Sequence, residues 1–239
     1  VSKERSPFLE KKSMKQVREV GLMKMQFRDR TEAGQLLAKK LTAYAYRSDV
    51  VVLALPRGGV PVAFEVAKAL NVPLDICLVR KLGVPGQKEL AMGAIARDDV
   101  MVIDHDVVEW LGIKRAVIDR VVAMEQQELQ RRDRAYRGSR PIPNVRQRTV
   151  ILVDDGIATG STIRAAIATL HQQQPEQIVV AVPVAANATC QELKTEVDQV
   201  VCLITPEPLQ SISLWYENFS QTTDAEVRNL LAQVTEGIL

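Results

Sequence analysis

The chain has 239 residues, 46% of them hydrophobic and 25% charged, an ordinary globular composition long enough for one sizeable core. Its formal net charge of +2 is too small to argue for nucleic acid as a partner, and its longest apolar run, Val50 to Leu55, is far too short to span a bilayer. No charged-then-apolar leader opens the sequence, so a soluble, cytoplasmic protein without a membrane partner is expected. Cys77, Cys190 and Cys202 lack the paired spacing of a metal or redox motif and read as core residues.

Residues 1–26 are rich in charge with scattered apolar positions, a tail or short loose helix ahead of one domain over 27–239. Phe27 to Tyr46 carries Ala33, Leu36, Leu37, Leu41 and Tyr44 with charge between them, an amphipathic helix with Thr31 and Glu32 near its start. Val50 to Leu55 is a strand, followed by the loop Pro56-Arg57-Gly58-Gly59-Val60-Pro61 and a helix through Leu70. Gly58 and Gly59 permit close approaches that a side chain would block, and Arg57 offers a forked cation to phosphate oxygens. Leu74 to Arg80 reads as a further strand ending in Arg80-Lys81, and Leu82 to Leu90, with two glycines and a proline, as a mobile loop. Met92 to Ala96 and Val100 to Ile103 suggest a short antiparallel hairpin at one edge of the sheet.

Asp104 to Trp110 and Ile113 to Tyr136 are helical in pattern. The second ends in Arg131, Arg132, Arg134, Arg137 and Arg140, and Arg146 and Arg148 follow. Interleaved aromatics are missing apart from Tyr136, so a solvated basic face is expected rather than a nucleic-acid interface.

The centre of the sequence is Val150 to Ile163. Val150-Ile151-Leu152-Val153 reads as a strand buried inside a parallel sheet. Asp154 and Asp155 stand at its carboxyl end, and Gly156-Ile157-Ala158-Thr159-Gly160 leads to a helix over Ile163 to Leu170 for which Ser161 or Thr162 is a suitable N-cap. Such a loop turns backbone N–H groups and hydroxyls towards one point, where the helix dipole favours phosphate. The carboxylates beside it suit hydroxyls or a divalent cation, so a phosphorylated sugar, with magnesium, is the natural ligand. Neither the Gly-x-x-x-x-Gly-Lys-Ser/Thr phosphate loop nor the Gly-x-Gly-x-x-Gly dinucleotide fingerprint is present.

Gln177 to Pro183 and Gln199 to Ile204 are two more strands around a helix from Asn187 to Glu196. The alternation from Val50 to Ile204 implies an α/β fold, a central parallel sheet covered by helices on both faces, with ligands at the carboxyl ends of its strands. Pro206 to Phe219 gathers Trp215, Tyr216 and Phe219 before a last helix, Asp224 to Val234. On composition, the aromatic cluster fastens that helix.

The run of apolar strand, two acids, three variable residues and Thr-Gly resembles the phosphoribosyl pyrophosphate (PRPP) signature of type I phosphoribosyltransferases. The Arg80 to Gly86 loop and the C-terminal segment resemble a bacterial branch of predicted members. The resemblance implies that Asp154 and Asp155 hold the ribose hydroxyls, and through them or water a magnesium ion. Gly156, Ile157, Ala158, Thr159, Gly160, Ser161 and Thr162 would wrap the 5-phosphate. It further implies that Arg57, Gly58 and Gly59, in a loop often held by an unusual cis peptide, bind the pyrophosphate. Arg80 and Lys81 would meet the departing group under a flexible loop, and a hood over about 206–239, with Trp215 and Tyr216, would receive an accepting base or amine.

Some purine-specific members carry an aspartate where Ala158 stands, so alanine counts against a 6-oxopurine substrate. A homodimer is compatible with the family. Two other readings stay open: a PRPP-sensing or RNA-binding regulator with the same fold, and a phosphatase using Asp154 as nucleophile.

Overall fold

The computed structural model describes residues 26–97, 100–138 and 140–237; the expected tail lies outside them except for Gln26. In chain order the elements are α1 (Arg30–Ala38), β1 (Val50–Ala54), α2 (Gly59–Leu70), β2 (Leu74–Ile76), β3 (Val79–Val84), β4 (Gln87–Ala96) and β5 (Met101–Ile103). Then follow α3 (His105–Trp110), α4 (Arg115–Arg137), β6 (Thr149–Val153), α5 (Ser161–Gln172), β7 (Gln177–Val184), α6 (Asn187–Leu193), β8 (Gln199–Ile204) and α7 (Asp224–Gly237). Among these, no helix is long and apolar enough to cross a membrane.

Five strands form one parallel sheet in the order β2-β1-β6-β7-β8. Every residue of β1 and β6 is buried, as strands covered on both faces must be. Alternate side chains part to two cores. Val50, Val52, Ala54, Ile151 and Val153 pack with α1, α2, α4 and α7, while Val51, Leu53, Val150 and Leu152 pack with α5 and α6. The expected α/β architecture is therefore present, and it sets the ends of β1 and β6 side by side.

Four local expectations are corrected. The run Leu74 to Arg80 is not one strand: β2 pairs with β1, the backbone of Cys77 still donates to Ala54, and the chain then leaves the sheet. Val79 to Val84 pairs instead with β4, so the segment expected as a mobile loop is largely a β-hairpin. Its turn has Pro85 followed by Gly86 at φ 83°, the residue types a type II turn takes, and register shifts lie beside it. The pairing of β4 with β5 is antiparallel as expected, but it completes a separate three-stranded sheet, β3-β4-β5, rather than an edge of the main one. The helix expected over Phe27 to Tyr46 is shorter, because Asp29 caps Glu32 N–H at 2.8 Å and the chain passes from α1 into a 3-10 turn at Thr42–Tyr44.

The basic stretch also differs from a solvated face. Arg137 is buried, with its guanidinium bonded to Asp75, Asp133 and the Ile76 carbonyl. Arg140 donates to the carbonyls of Tyr136 and Leu231, and Arg148 to those of Ser48 and Val50. Arg131, Arg134 and Arg146 are exposed. The difference is one of tertiary partners that a local charge run cannot reveal.

Candidate active site

After β1, the Pro56–Arg57 peptide is cis, the feature the family resemblance anticipates in this loop. After β6, Ile157 anchors the second loop: its N–H donates to the Val184 carbonyl and its own carbonyl accepts from Ala186 N–H. The Thr189 hydroxyl donates to the Ala158 carbonyl at 2.8 Å. Between these ties Ala158 and Thr159 are exposed, as is Thr162 just beyond them, which leaves the loop open to solvent.

Neither Ser161 nor Thr162 is the N-cap of α5. That position belongs to Gly160, whose φ of 76° makes the turn into the helix, and no side chain caps it. The uncapped first-turn N–H groups and the positive end of the helix dipole together suit an anion. Ser161 Oγ lies 3.1 Å from Thr159 Oγ1, bringing two hydroxyls to the same rim.

The two loops touch. A Cβ on Gly58 would lie 1.9 Å from Asp155 Oδ2, and one on Gly59 would lie 2.8 Å from the Val153 carbonyl oxygen and 2.9 Å from Asp154 Cα. Paired glycines are thus needed because the acid pair occupies the space that side chains would take. Gly156 is constrained from the other side, since its Cβ would stand 2.6 Å from Ile212 Cγ2.

Burial, and then the charge of Asp155, push the Asp154 carboxyl well above the usual carboxylate range. Burial also raises Asp155, opposed by the guanidinium of Arg30. Arg30 places Nε and Nη2 each 2.8 Å from Asp155 Oδ2. Asp155 N–H donates to Asp154 Oδ1 at 2.8 Å, and the Tyr216 hydroxyl donates to the Asp155 carbonyl at 2.6 Å.

The predicted basic residues fall around this centre. Arg80 lines a small cavity with Pro56 and Thr162, so it adjoins both loops, while its Nε bonds Glu125 on α4 at 2.6 Å. Lys81 lines a cleft of about 470 Å³ together with Ser161. Arg57 reaches Asp224 at 3.5 Å, and the Tyr136 hydroxyl donates to that carboxylate at 2.8 Å, joining the cis loop to α7.

Trp215 and Tyr216 are both buried, packed with Phe27, Ala33 and Val184. Phe27 N–H donates to the Trp215 carbonyl at 2.9 Å, so the aromatic cluster fastens the segment around Trp215 and Tyr216 to the chain before α1, and not to α7 as expected. Phe219, half-buried, sits with its ring centroid 4.0 Å from the Arg30 guanidinium.

The sequence model of the phosphoribosyl transferase domain matches residues 29–215. The chain belongs to the phosphoribosyl transferase family. Two Mycobacterium tuberculosis proteins, from different strains and each named "Putative phosphoribosyl transferase", are 45% identical to it over 201 residues. The match covers 84% of this chain and 45% of theirs, so the chain spans less than half the length of these curated relatives. The crystal structure of TT1426 from Thermus thermophilus is similar with a TM-score of 0.80 at 39% identity, covering 87% of this chain and 99% of that one.

Two residues at the candidate site were not expected from the sequence, Arg30 and Asp224, and Phe219 was expected only as part of the aromatic cluster. For Arg30 a signal existed, because a cation at the first position of a helix opposes the helix dipole and calls for an acidic partner elsewhere. Asp224 carried no comparable signal.

Among the described residues, no cluster of three or more His, Cys, Asp or Glu side chains could hold a metal ion by itself. Asp154 and Asp155 nevertheless offer hard oxygen donors, and magnesium is commonly held by one or two carboxylates together with waters and substrate phosphates. The acid pair fits a cation carried largely by a phosphorylated substrate.

Proposed function

We propose that this phosphoribosyl transferase binds PRPP with magnesium at the carboxyl ends of β1 and β6. It transfers the ribose 5-phosphate group to a nitrogenous base or amine, with release of pyrophosphate. The observation that carries this reading is the contact of Gly58 with Asp155, which joins a cis-peptide loop to an acid pair and an uncapped helix N-terminus in one site. Residues 27–239 act as one domain in this reading, with about 206–239 as the hood.

The roles follow from the chemistry. Gly156 to Thr162 receive the 5-phosphate through the N–H groups and hydroxyls of the loop and the first turn of α5. Asp154 and Asp155 accept hydrogen bonds from the ribose hydroxyls. Arg57 and the backbone of Gly58 and Gly59 hold the pyrophosphate, and Arg80 and Lys81 stand beside it as it leaves. The bond from C1 to the pyrophosphate oxygen breaks with its electron pair going to pyrophosphate, and a nitrogen lone pair forms the new bond to C1. Bound magnesium supplies neutralisation of the leaving charge. The protein's own share is positioning, charge stabilisation and exclusion of water.

Isothermal titration with PRPP and magnesium, for the wild type and for the double variant Asp154→Ala with Asp155→Ala, tests the reading, followed by a pyrophosphate-release screen across bases and amines. Binding lost in the variant, with release for one acceptor, supports the transferase; absence of PRPP binding to the wild type sinks it. Binding without release from any acceptor favours the regulator. That alternative gains little from the basic stretch, since Arg137, Arg140 and Arg148 bond inward.

A further inference from the structure

Arg30 and Asp155 are 125 positions apart in the sequence, yet two guanidinium nitrogens converge on a single carboxylate oxygen, Oδ2, at 2.8 Å each. The third nitrogen, Nη1, donates to the Ser220 carbonyl of the hood at 2.7 Å. The central carbon of the group lies 4.0 Å from the Phe219 ring centroid and 6.0 Å from that of Tyr216. With its side chain 11% exposed, the guanidinium is held on every side. The Asp29 cap fixes the start of α1 and so the direction from which Arg30 enters.

We infer that Arg30 is a positioning residue for the sugar-binding carboxylate, and that it ties the hood to the floor of the site; this rests on the proposed PRPP reading. By taking Oδ2, Arg30 fixes the rotation of the Asp155 carboxylate and turns Oδ1 towards the ribose hydroxyls. The same planar group carries the hood, through Ser220 and Phe219, so the order of the hood and the aim of Asp155 depend on one side chain. Lysine cannot replace it. An ammonium is a point charge that lacks the fork needed to reach Asp155 and Ser220 together.

The test uses the full chain, with Arg30→Lys, Arg30→Ala and Phe219→Leu beside the wild type. PRPP with magnesium is titrated into each, with and without millimolar methylguanidinium, and thermal melts are recorded. We expect Arg30→Lys to keep a melting temperature close to the wild type while losing about tenfold or more in PRPP affinity. Methylguanidinium should restore part of the affinity of Arg30→Ala, which a residue serving only the fold would not allow. Phe219→Leu should weaken PRPP binding less than either Arg30 variant. A wild type that binds PRPP beside an Arg30→Lys variant of equal affinity overturns the role of Arg30 alone. An affinity of Arg30→Ala that falls and does not respond to methylguanidinium also overturns it. A wild type that binds no PRPP removes the proposed function and this inference with it.

Discussion

Gly58 faces the Asp155 carboxylate so closely that a Cβ there would lie 1.9 Å from Oδ2. The backbone at Gly58 is ordinary helical, φ −60° and ψ −32°, so alanine meets no conformational penalty, only the carboxylate. That carboxylate cannot swing away freely, because Arg30 holds it. Gly58→Ala should therefore separate the loop after β1 from the acid pair. We expect a loss of about 1–3 kcal/mol in stability and a loss of PRPP affinity larger than that of an exposed control such as Arg146→Ala. Titration calorimetry and thermal melts together check both effects.

The acid pair gives a pH dependence with a definite sign. Asp154 and Asp155 both have carboxyls raised in the folded chain, so the folded state binds their protons more tightly than the unfolded state. Their contribution to stability is full below the ordinary carboxylate pKa and is lost as pH rises through the raised folded values. Asn at 154 imitates the protonated form and can still accept from Asp155 N–H. Asp154→Asn should thus be more stable than wild type at neutral pH, by about 1 kcal/mol or about 2–4 °C in Tm. The gain should shrink towards about pH 4, while the variant binds PRPP more weakly. Melts across that pH range would refute this if the gain were constant or reversed.

Arg137 offers a test of the inward-facing basic stretch. Its side chain is 3% exposed and bridges Asp75 and Asp133, which are 13% and 7% exposed. Removing the guanidinium leaves Asp75 without its cation and Asp133 with Arg97 alone, at 3.4 Å. Arg137→Ala should cost about 3–5 kcal/mol, whereas the exposed Arg146→Ala should change stability by no more than about 0.5 kcal/mol. Urea unfolding of the two variants separates a structural basic run from a solvated one, because a solvated run would give two small and similar values.

The parallel sheet was legible because β1 and β6 consist of residues that tolerate burial on both faces, and the acid pair because it follows one of those strands directly. The hairpin was not. Gly83, Pro85 and Gly86 make a bulged strand and a turn look like a loop, and local letters cannot say that Val79 to Val84 has a partner in β4. Nor does a run of arginines disclose that Arg137 meets Asp75, 62 residues earlier. Arg30 is the same case within the candidate site. Its chemistry depends on Asp155 and Ser220, both brought to it only by the closed fold.

The loop before α5 gives a final prediction with an internal control. Gly160 has φ 76°, and a Cβ there would also stand 2.9 Å from Thr189 Cγ2. Gly160→Ala therefore meets two penalties, a left-handed backbone worth about 1–2 kcal/mol for an L-residue and a contact with a methyl group. Thr189→Ser deletes that methyl while keeping a hydroxyl to donate to the Ala158 carbonyl. Alone it should be nearly neutral. Combined with Gly160→Ala it should recover the steric part of the loss and leave the backbone part, so the double variant falls between wild type and Gly160→Ala in Tm. Affinity for ribose 5-phosphate should follow the same order, since both changes act on the loop proposed to receive the phosphate. If the double variant were as unstable as Gly160→Ala, the backbone would carry the whole cost. Full recovery would mean that α5 can start without a left-handed residue at 160.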